Sequence, residues 1–525
     1  MSGFIKLNNV SYMLPNGVSL FSGLNYAFSE NKKVAIIGNN GVGKSTLLKI
    51  ISGEISGFGG SVVKNGKILY IPQDVMNMKG SVADILEITP LWEAIKRVES
   101  GETDQLLFDT IGQHWNIEQE IGEIFDILQI SQSLTDDFMF LSGGEKEKIL
   151  LAKCYLSEAD FIILDEPTNN LDVETKSLLY DFILNYKKGI IVVSHDRTLL
   201  NKMPEILELT DSGLKVYGGN YNFYQTEKNH EIENLEQKKV FLVNENQKLV
   251  KTKNKMMEQK AKSSAEGNKA IQNKKYSKLV GNALKGASDS NFAKKNNALD
   301  NKIQKNKKEI YQIDWNLTNE KIKIPMPSKP FIKAKLLDVK NVSFGYNEHK
   351  IIKNISFSLS GDECLQIQGA NGCGKSTLIK LIIGELMPQS GTISLNGTAI
   401  YLNQNLSLLD RDKTVLDNML DYNSGITIMD AHAILANFKF RNVQSDKKVS
   451  CLSGGELLRA SLATVLGTRK QPDLIILDEP TNNLDIQSIE VLESALQGYQ
   501  GAIIVVSHDE EFIKSLNISK VLKLD

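Results

Sequence analysis

The chain repeats itself. Gly38-Asn39-Asn40-Gly41-Val42-Gly43-Lys44-Ser45-Thr46 returns as Gly369-Ala370-Asn371-Gly372-Cys373-Gly374-Lys375-Ser376-Thr377. Leu141-Ser142-Gly143-Gly144-Glu145 returns as Leu452-Ser453-Gly454-Gly455-Glu456. The nonamer from Leu164 through Asp165, Glu166 and Pro167 to Asp172 returns from Leu477 through Asp478, Glu479 and Pro480 to Asp485, and Val193-Ser194-His195-Asp196 as Val506-Ser507-His508-Asp509. Four motifs in one order, twice, mean two copies of one architecture, and 525 residues suffice for both plus a connector. Lys44 and Gln73 are separated by 29 positions, as are Lys375 and Gln404, whereas Gln73 to Ser142 spans 69 against 49 from Gln404 to Ser453. The first copy therefore carries an insertion in the helically patterned stretch at about 82–130.

Between the copies the composition changes. Residues 228–323 hold 22 Lys, no Arg and 11 acidic residues, a net +11, so the formal charge of -2 hides a body of -13. Leu235, Leu242, Leu249 and Met256 recur every seven positions, and so do Ile303, Ile310 and Leu317, with Leu299 and Ile313 in the companion register. That pattern predicts an antiparallel helical hairpin with a narrow apolar seam, each helix about 30–35 residues and about 45–50 Å long. Gly267, Gly281 and Gly286 place its turn at roughly 263–295, with Tyr276, Leu279, Val280, Leu284 and Phe292 set among lysines. Pro325, Met326, Pro327 and Pro330 mark the return to the second copy. The domain limits read as 1–224, 225–330 and 331–525.

Each Gly-x-x-x-x-Gly-Lys-Ser follows an apolar strand and opens a helix, the context in which backbone amides and a helix N-terminus cradle phosphates. Lys44 and Lys375 are placed to reach β- and γ-phosphates, and Ser45 and Ser376 to ligate Mg²⁺. Two apolar runs end in Asp165 and Asp478, as strands delivering a carboxylate to a sheet edge should, and these acids read as metal-holding. Glu166 and Glu479, next in sequence, are candidates to polarise the attacking water, and His195 and His508 to contact the γ-phosphate. A lone histidine is more often structural; two at one offset from two acid pairs favour function.

These motifs together resemble the ATP-binding cassette superfamily. Two cassettes in one chain, a long charged linker and Leu-Ser-Gly-Gly-Glu in both copies resemble its ABC-F family in particular, as does Tyr217-Gly218-Gly219-Asn220-Tyr221 ahead of the linker. The resemblance implies an α/β fold of two P-loop ATP-binding cassette domains joined by a long antiparallel α-helical hairpin, and a short arm at 82–130. It implies an intramolecular sandwich of a monomer with ATP and Mg²⁺ as cofactors, Lys44, Ser45 and Glu166 facing Ser453, Gly454 and Gly455, and Lys375, Ser376 and Glu479 facing Ser142, Gly143 and Gly144. Gln73 and Gln404 are the implied further metal contacts, Tyr12 and Tyr346 the implied adenine-stacking aromatics, with Phe344 competing in the second copy. Both sites retain every motif residue, so two hydrolytic sites are expected.

The implied partner is the ribosome. The ATP-bound form would occupy the exit site of the 50S subunit with its linker toward 23S rRNA, P-site tRNA and the peptidyl-transferase centre, and hydrolysis would release it. A short arm with a long linker favours the antibiotic-resistance group over a housekeeping translation factor. An exporter ATPase subunit leaves the hairpin unexplained, and relatives of a DNA-repair or chromosome-structuring ATPase have zinc-binding cysteines or far longer coiled coils, neither of which this sequence shows. Cys154, Cys364, Cys373 and Cys451 form no metal-ligand spacing, and no window suits a membrane span, so a cytoplasmic protein with no membrane or DNA partner is expected.

Overall fold

The computed structural model describes residues 3–75, 78–169, 171–210, 213–272, 278–320, 335–346, 349–370, 372–403, 408–467, 471–482 and 484–524. Of the sequence expectations, Asn371, Gln404, Tyr276 and the proline-punctuated return at 325–330 lie outside the described residues. The first copy begins with β1 (Phe4–Met13), β2 (Ser19–Ser29), β3 (Lys33–Ile37), α1 (Lys44–Ser52), β4 (Gly59–Asn65) and β5 (Ile68–Ile71). Helices α2 (Val82–Ile85), α3 (Thr89–Glu99), α4 (Gln105–Ile111), α5 (Ile117–Leu128) and α6 (Gly143–Leu156) follow. It closes with β6 (Phe161–Asp165), α7 (Val173–Asn185), β7 (Gly189–Val193), α8 (Arg197–Lys202), β8 (Glu205–Thr210) and β9 (Gly213–Tyr217). Two long helices, α9 (Tyr221–Gln272) and α10 (Lys278–Glu320), intervene.

The second copy repeats the plan. It runs β10 (Lys335–Tyr346), β11 (His349–Ser360), β12 (Cys364–Gln368), α11 (Lys375–Ile382), β13 (Ser390–Leu395), β14 (Ala399–Leu402), α12 (Val415–Tyr422), α13 (Ile428–Asn437) and α14 (Gly454–Leu466). β15 (Leu474–Asp478), α15 (Ile486–Gly498), β16 (Ala502–Val506), α16 (Glu510–Ser515) and β17 (Lys520–Lys523) complete it. The helices between β5 and α6 outnumber those between β14 and α14 by two, so the extra residues of the first copy are folded as helix, pinned where Trp92 Nε1 of α3 donates to Glu118 of α5 at 2.7 Å.

Each copy is two sheets around a shared core. In the first, β5-β6-β7-β3-β8 are parallel with β9 antiparallel at the edge, and β2-β1-β4 form a separate antiparallel sheet. The second has β14-β15-β16-β12-β17, all parallel, and β11-β10-β13. β6 (FIILD) and β15 (LIILD) are buried at every residue, including the terminal aspartates, because helices and the second sheet cover both faces. The apolar runs thus carry Asp165 and Asp478 to the C-terminal edge, where α/β sheets bind their ligands.

The chain separates into two compact units, Met1–Tyr224 with Lys323–Asp525, and Gln225–Ile322. Within the second unit, ion pairs run in antiparallel register: Lys238 with Glu309 (2.6 Å), Lys239 with Asp314 (2.6 Å), Lys302 with Glu245 (2.8 Å), and Lys253 with Asp300. Leu242, Ile303 and Ile313 are buried in the seam. The helices exceed the expectation: 52 and 43 residues, about 78 and 65 Å at 1.5 Å per residue. The turn predicted at 263–295 is corrected accordingly, since Gly267 lies within α9 and Gly281 and Gly286 within α10. A helical glycine costs about 1 kcal/mol, and helix propagation over dozens of bonds absorbs it where a proline would not be absorbed. Among the described residues no helix is long and apolar enough to cross a membrane.

Leu164 sits in the middle of β6 with 1% of its surface exposed. Leu164→Ala should destabilise the unit that holds both copies by about 2–5 kcal/mol, read as a lowered midpoint of its thermal transition; an unchanged midpoint would contradict the packing of β6.

Candidate active site

The phosphate loop is shaped by glycines. Gly43 and Gly374 cap α1 and α11 at φ 100° and 102°, and a Cβ at Gly43 would stand 2.9 Å from the Phe21 ring, one at Gly374 2.4 Å from Ile351. No side chain fits, so the backbone turns tightly and the amides of the first helical turn stay exposed to a ligand. Lys44 folds back over this loop, donating to the carbonyls of Gly38 (2.7 Å) and Asn39 (3.3 Å) and to Asn40 Oδ1 (3.5 Å). Lys375 donates likewise to Gly369 (2.8 Å) and Ala370 (3.0 Å). Val42 packs into the core and Cys373 against its edge, while Gly41 and Gly372 (φ 84° each) have open space where a Cβ would be.

A cleft of about 480 Å³ opens on the first loop. Asn40, Gly41, Gly43, Lys44, Ser45, Thr46, Gln73, Asp165, Glu166, Asn169, Val193 and His195 line it, with Leu14 and Leu20 at its lip. Sequence-predicted residues from three strand ends and two helix starts therefore meet in one place. Ser45 hydrogen-bonds the Asp165 carboxylate, and Ser376 Oγ donates to Asp478 Oδ2 at 2.9 Å. Tyr12 does not line the cleft. It packs on Phe21 (centroids 6.4 Å apart), across the β1–β2 ladder, and the apolar lip is supplied by Leu14 and Leu20. Phe344 is buried in the core of the second copy, with the exposed Tyr346 set edge-on against it at 5.1 Å.

The next carboxylate is held in strain. Glu166 and Glu479 adopt φ 52° and 48°, the left-handed region that non-glycine residues avoid, and their amides donate back to Val193 and Val506 at 2.8 and 2.9 Å. Two glutamates in the same unfavourable backbone at the same place indicate that the surroundings enforce it. Burial pushes Glu166 up to about 8, with Lys44 working against it and Asp165 with it. Glu479 is pushed to about 7 in the same way. His195 Nε2 lies 3.3 Å from Glu166 and His508 Nε2 3.4 Å from Glu479, but burial lowers the histidines to about 3 and about 4, so both are neutral at pH 7 and neither contact is an ion pair.

The Leu-Ser-Gly-Gly-Glu segments do not line the cleft. Ser142 and Ser453 are the N-caps of α6 and α14, and each forms a reciprocal capping box with Glu145 or Glu456. Gly143, Gly144, Gly454 and Gly455 form the first turns, and a Cβ at Gly455 would come within 2.3 Å of Ser488 Oγ. The residue that does reach across from the other copy is Asp485, which caps α15 through Oδ1 (Ser488 N, 2.9 Å) while Oδ2 accepts from Asn40 N at 2.9 Å. Burial disfavours its charge, but the hydrogen bonds from Asn40 and Ser488 outweigh burial and hold it below the usual carboxylate range. On the opposite side, Lys176 Nζ donates to the carbonyl of His508 at 3.5 Å. The two copies thus touch through the segments flanking their nucleotide loops.

Two residues that touch Asp165 and Asp478 are not among the sequence candidates. Tyr70 and Tyr401 donate to Asp165 Oδ2 (3.4 Å) and Asp478 Oδ2 (3.0 Å), each three positions before Gln73 or Gln404, so comparing the copies residue by residue would have found them. Asp165 Oδ1 and both ring nitrogens of His195 are buried with no hydrogen-bond partner among the described residues. One aspartate and one serine hydroxyl are the hard oxygen donors Mg²⁺ takes alongside phosphate, so the residues present fit it.

The raised Glu166 value has a stability consequence. Between about pH 4.5 and pH 8 the folded state keeps a proton that the unfolded chain releases, so wild-type stability falls as pH rises through that window. Glu166→Gln removes that slope: its thermal midpoint relative to wild type should climb steadily from pH 5 to 8, and a constant difference would contradict a buried, proton-holding carboxylate.

A family model described as ABC transporter matches residues 21–169 and 352–482. ABC transporter F family member 5 of Arabidopsis thaliana is 30% identical over 559 residues, spanning 100% of this chain and 75% of its own length. The energy-dependent translational throttle protein EttA of Escherichia coli (strain K12) is 29% identical, over 98% of this chain and 91% of its own. A crystal structure of an archaeal ribosome recycling factor, aABCE1, with the ribosomal stalk protein aP1 shares the fold at a TM-score of 0.59 and 18% identity, covering 98% of this chain and 87% of that one. Two glycine-shaped loops, two strained glutamates and relatives matched over nearly all of this chain lead to one conclusion: the chain belongs to the ABC-F family of ATP-binding cassette proteins.

Proposed function

We propose that this chain is a ribosome-binding ATPase that closes its cassettes on ATP and opens them on hydrolysis. The observation that carries the reading is Asp485 of the second cassette on the Asn40 amide of the first, because a nucleotide on that loop lies beside a group from the other cassette. Each loop would hold the phosphates through its amides and lysine. Asp165 with Ser45, and Asp478 with Ser376, would hold Mg²⁺, joined by Gln73 and Gln404; the ion supplies neutralisation of phosphate charge. Glu166 and Glu479 would orient and deprotonate the water that attacks the γ-phosphorus as the bond to ADP breaks. A carboxylate held near 7 to 8 suits that work at neutral pH. Ser142 to Gly144 and Ser453 to Gly455 would complete the facing walls on closure, since each lies at a helix N-terminus able to meet a γ-phosphate.

The hairpin supports an RNA partner. Its net +11 sits on a chain otherwise at -13, and lysines of this kind give salt-dependent, sequence-independent attraction to phosphate backbones. The translational role in the name of the E. coli relative points the same way. We infer binding at the exit site of the 50S subunit in the cytoplasm, with the hairpin directed at 23S rRNA, P-site tRNA and the peptidyl-transferase centre, and protection from drugs that act there. The full-length match to a translational throttle protein favours a second reading, a housekeeping translation factor.

Two experiments decide. A Glu166→Gln, Glu479→Gln double variant should co-sediment with ribosomes only when ATP is present; sedimentation indifferent to ATP would remove the ATP-clamp reading. Expressed in a susceptible host, the wild type should raise the inhibitory concentration of at least one pleuromutilin, lincosamide, streptogramin A, macrolide or phenicol, and no change for any would leave the housekeeping role.

A further inference from the structure

The repeat breaks where the chemistry of the sites does not demand it. After the histidines the copies read His195-Asp196-Arg197 and His508-Asp509-Glu510, and eight positions past the capping aspartates Asp172 and Asp485 stand Tyr180 and Glu493. Arg197, the first residue of α8, donates from Nη1 to Oε1 of Glu493 in α15 at 2.8 Å, with both side chains almost out of water. The corresponding place on the other side of the pseudo-symmetry cannot form this pair. There Tyr180 and Glu510 line a cavity of about 200 Å³ together with Lys176, Asp196 and Asp509. One edge of the cassette interface is stapled by a buried ion pair and the other is not.

The stapled helix has a second attachment. Asn201 of α8 accepts from the N–H of Asn222 through Oδ1 (3.0 Å), and its carbonyl accepts from Asn220 Nδ2 (3.3 Å). Asn220 Oδ1 in turn accepts from the N–H of Phe223 at 3.1 Å. Two of the amides that a helix start leaves unsatisfied are met here, one of them by a side chain of α8, so the first turn of α9 is seated on that helix. Tyr221 of the same turn is buried with its hydroxyl beside the Arg197 guanidinium. Lys514 stands at the position equivalent to Asn201, and its ammonium donates to Glu511 of its own helix at 2.8 Å.

We propose that Arg197 and Asn201 are positioning residues that make the nucleotide site around Lys44, rather than the one around Lys375, the site that sets the hairpin. α8 begins two residues after His195, is fixed to the second cassette through Glu493, whose helix starts at the Asp485 that meets Asn40, and holds the base of α9 through Asn201. A displacement of Asp485 or His195 on closure is handed to α8 and from there to a continuous 52-residue helix. This inference rests on the reading that the cassettes close on ATP.

The test uses the full-length Glu166→Gln, Glu479→Gln protein with spin labels at exposed positions. One label pair spans the cassettes (Lys67 and Met387) and the other joins hairpin to cassette (Val240 and Lys67). With ATP both distances should shift in the parent. Arg197→Gln and Asn201→Ala should abolish the hairpin shift and keep the cassette shift, and the exchanged pair Arg197→Glu with Glu493→Arg should restore the hairpin shift, which a merely misfolded interface would not. Lys44→Ala should silence the hairpin pair, and Lys375→Ala should leave it responsive. The proposal is overturned if the hairpin pair still responds in Arg197→Gln and Asn201→Ala, or if Lys375→Ala silences it as Lys44→Ala does. A parent whose cassette pair ignores ATP overturns the closing reading itself, an outcome distinct from those two.

Discussion

Holding a lysine, a histidine and three carboxylates out of water around one phosphate-shaped loop is the constraint on which this protein is built. Charges in such a setting are costly unless they are paired or neutralised. Lys44 is answered by Asp165, Glu166 and Asp485, burial lowers its proton affinity and raises that of Glu166, and His195 stays neutral. The sheet makes this possible. Strands buried at every residue deliver Asp165 and Asp478 to an edge that water reaches poorly, and the turn that follows forces Glu166 and Glu479 into a backbone that only their surroundings maintain.

Asp485 ties the two copies together. One oxygen starts its own helix and the other holds the amide of the facing loop, so the order of the second cassette's α15 and the conformation of the first cassette's nucleotide loop depend on one carboxylate. The Leu-Ser-Gly-Gly-Glu glutamate has a plainer origin. Glu145 and Glu456 are the reciprocal half of a capping box through one carboxylate oxygen, and the other accepts from Gln132 and Lys447 respectively.

What could be read from the sequence was local. The loops, the apolar strands ending in acids and the seven-residue seam of the hairpin each follow from the residues within a short window, and the two-cassette α/β fold follows from the repetition of the motifs. Two kinds of feature escaped. The contact between Asn40 and Asp485 joins residues 445 positions apart, and no periodicity encodes which loop a capping carboxylate will face. The length of α9 and α10 escaped because glycine was weighed as a breaker one residue at a time, whereas helix formation is decided cooperatively over the whole segment. Tyr12, the aromatic at the implied spacing, packs against Phe21 across the β1–β2 ladder, while Leu14 and Leu20 line the cleft.

The most direct measurement is hydrogen exchange of the Glu166→Gln protein with and without ATP, followed peptide by peptide. If the nucleotide joins the cassettes through Asp485, ATP bound at the first loop should slow exchange at 38–46 and, in the same step, at 484–489 of the second cassette, also when Lys375→Ala has disabled the second loop. Protection confined to first-cassette peptides would contradict the account.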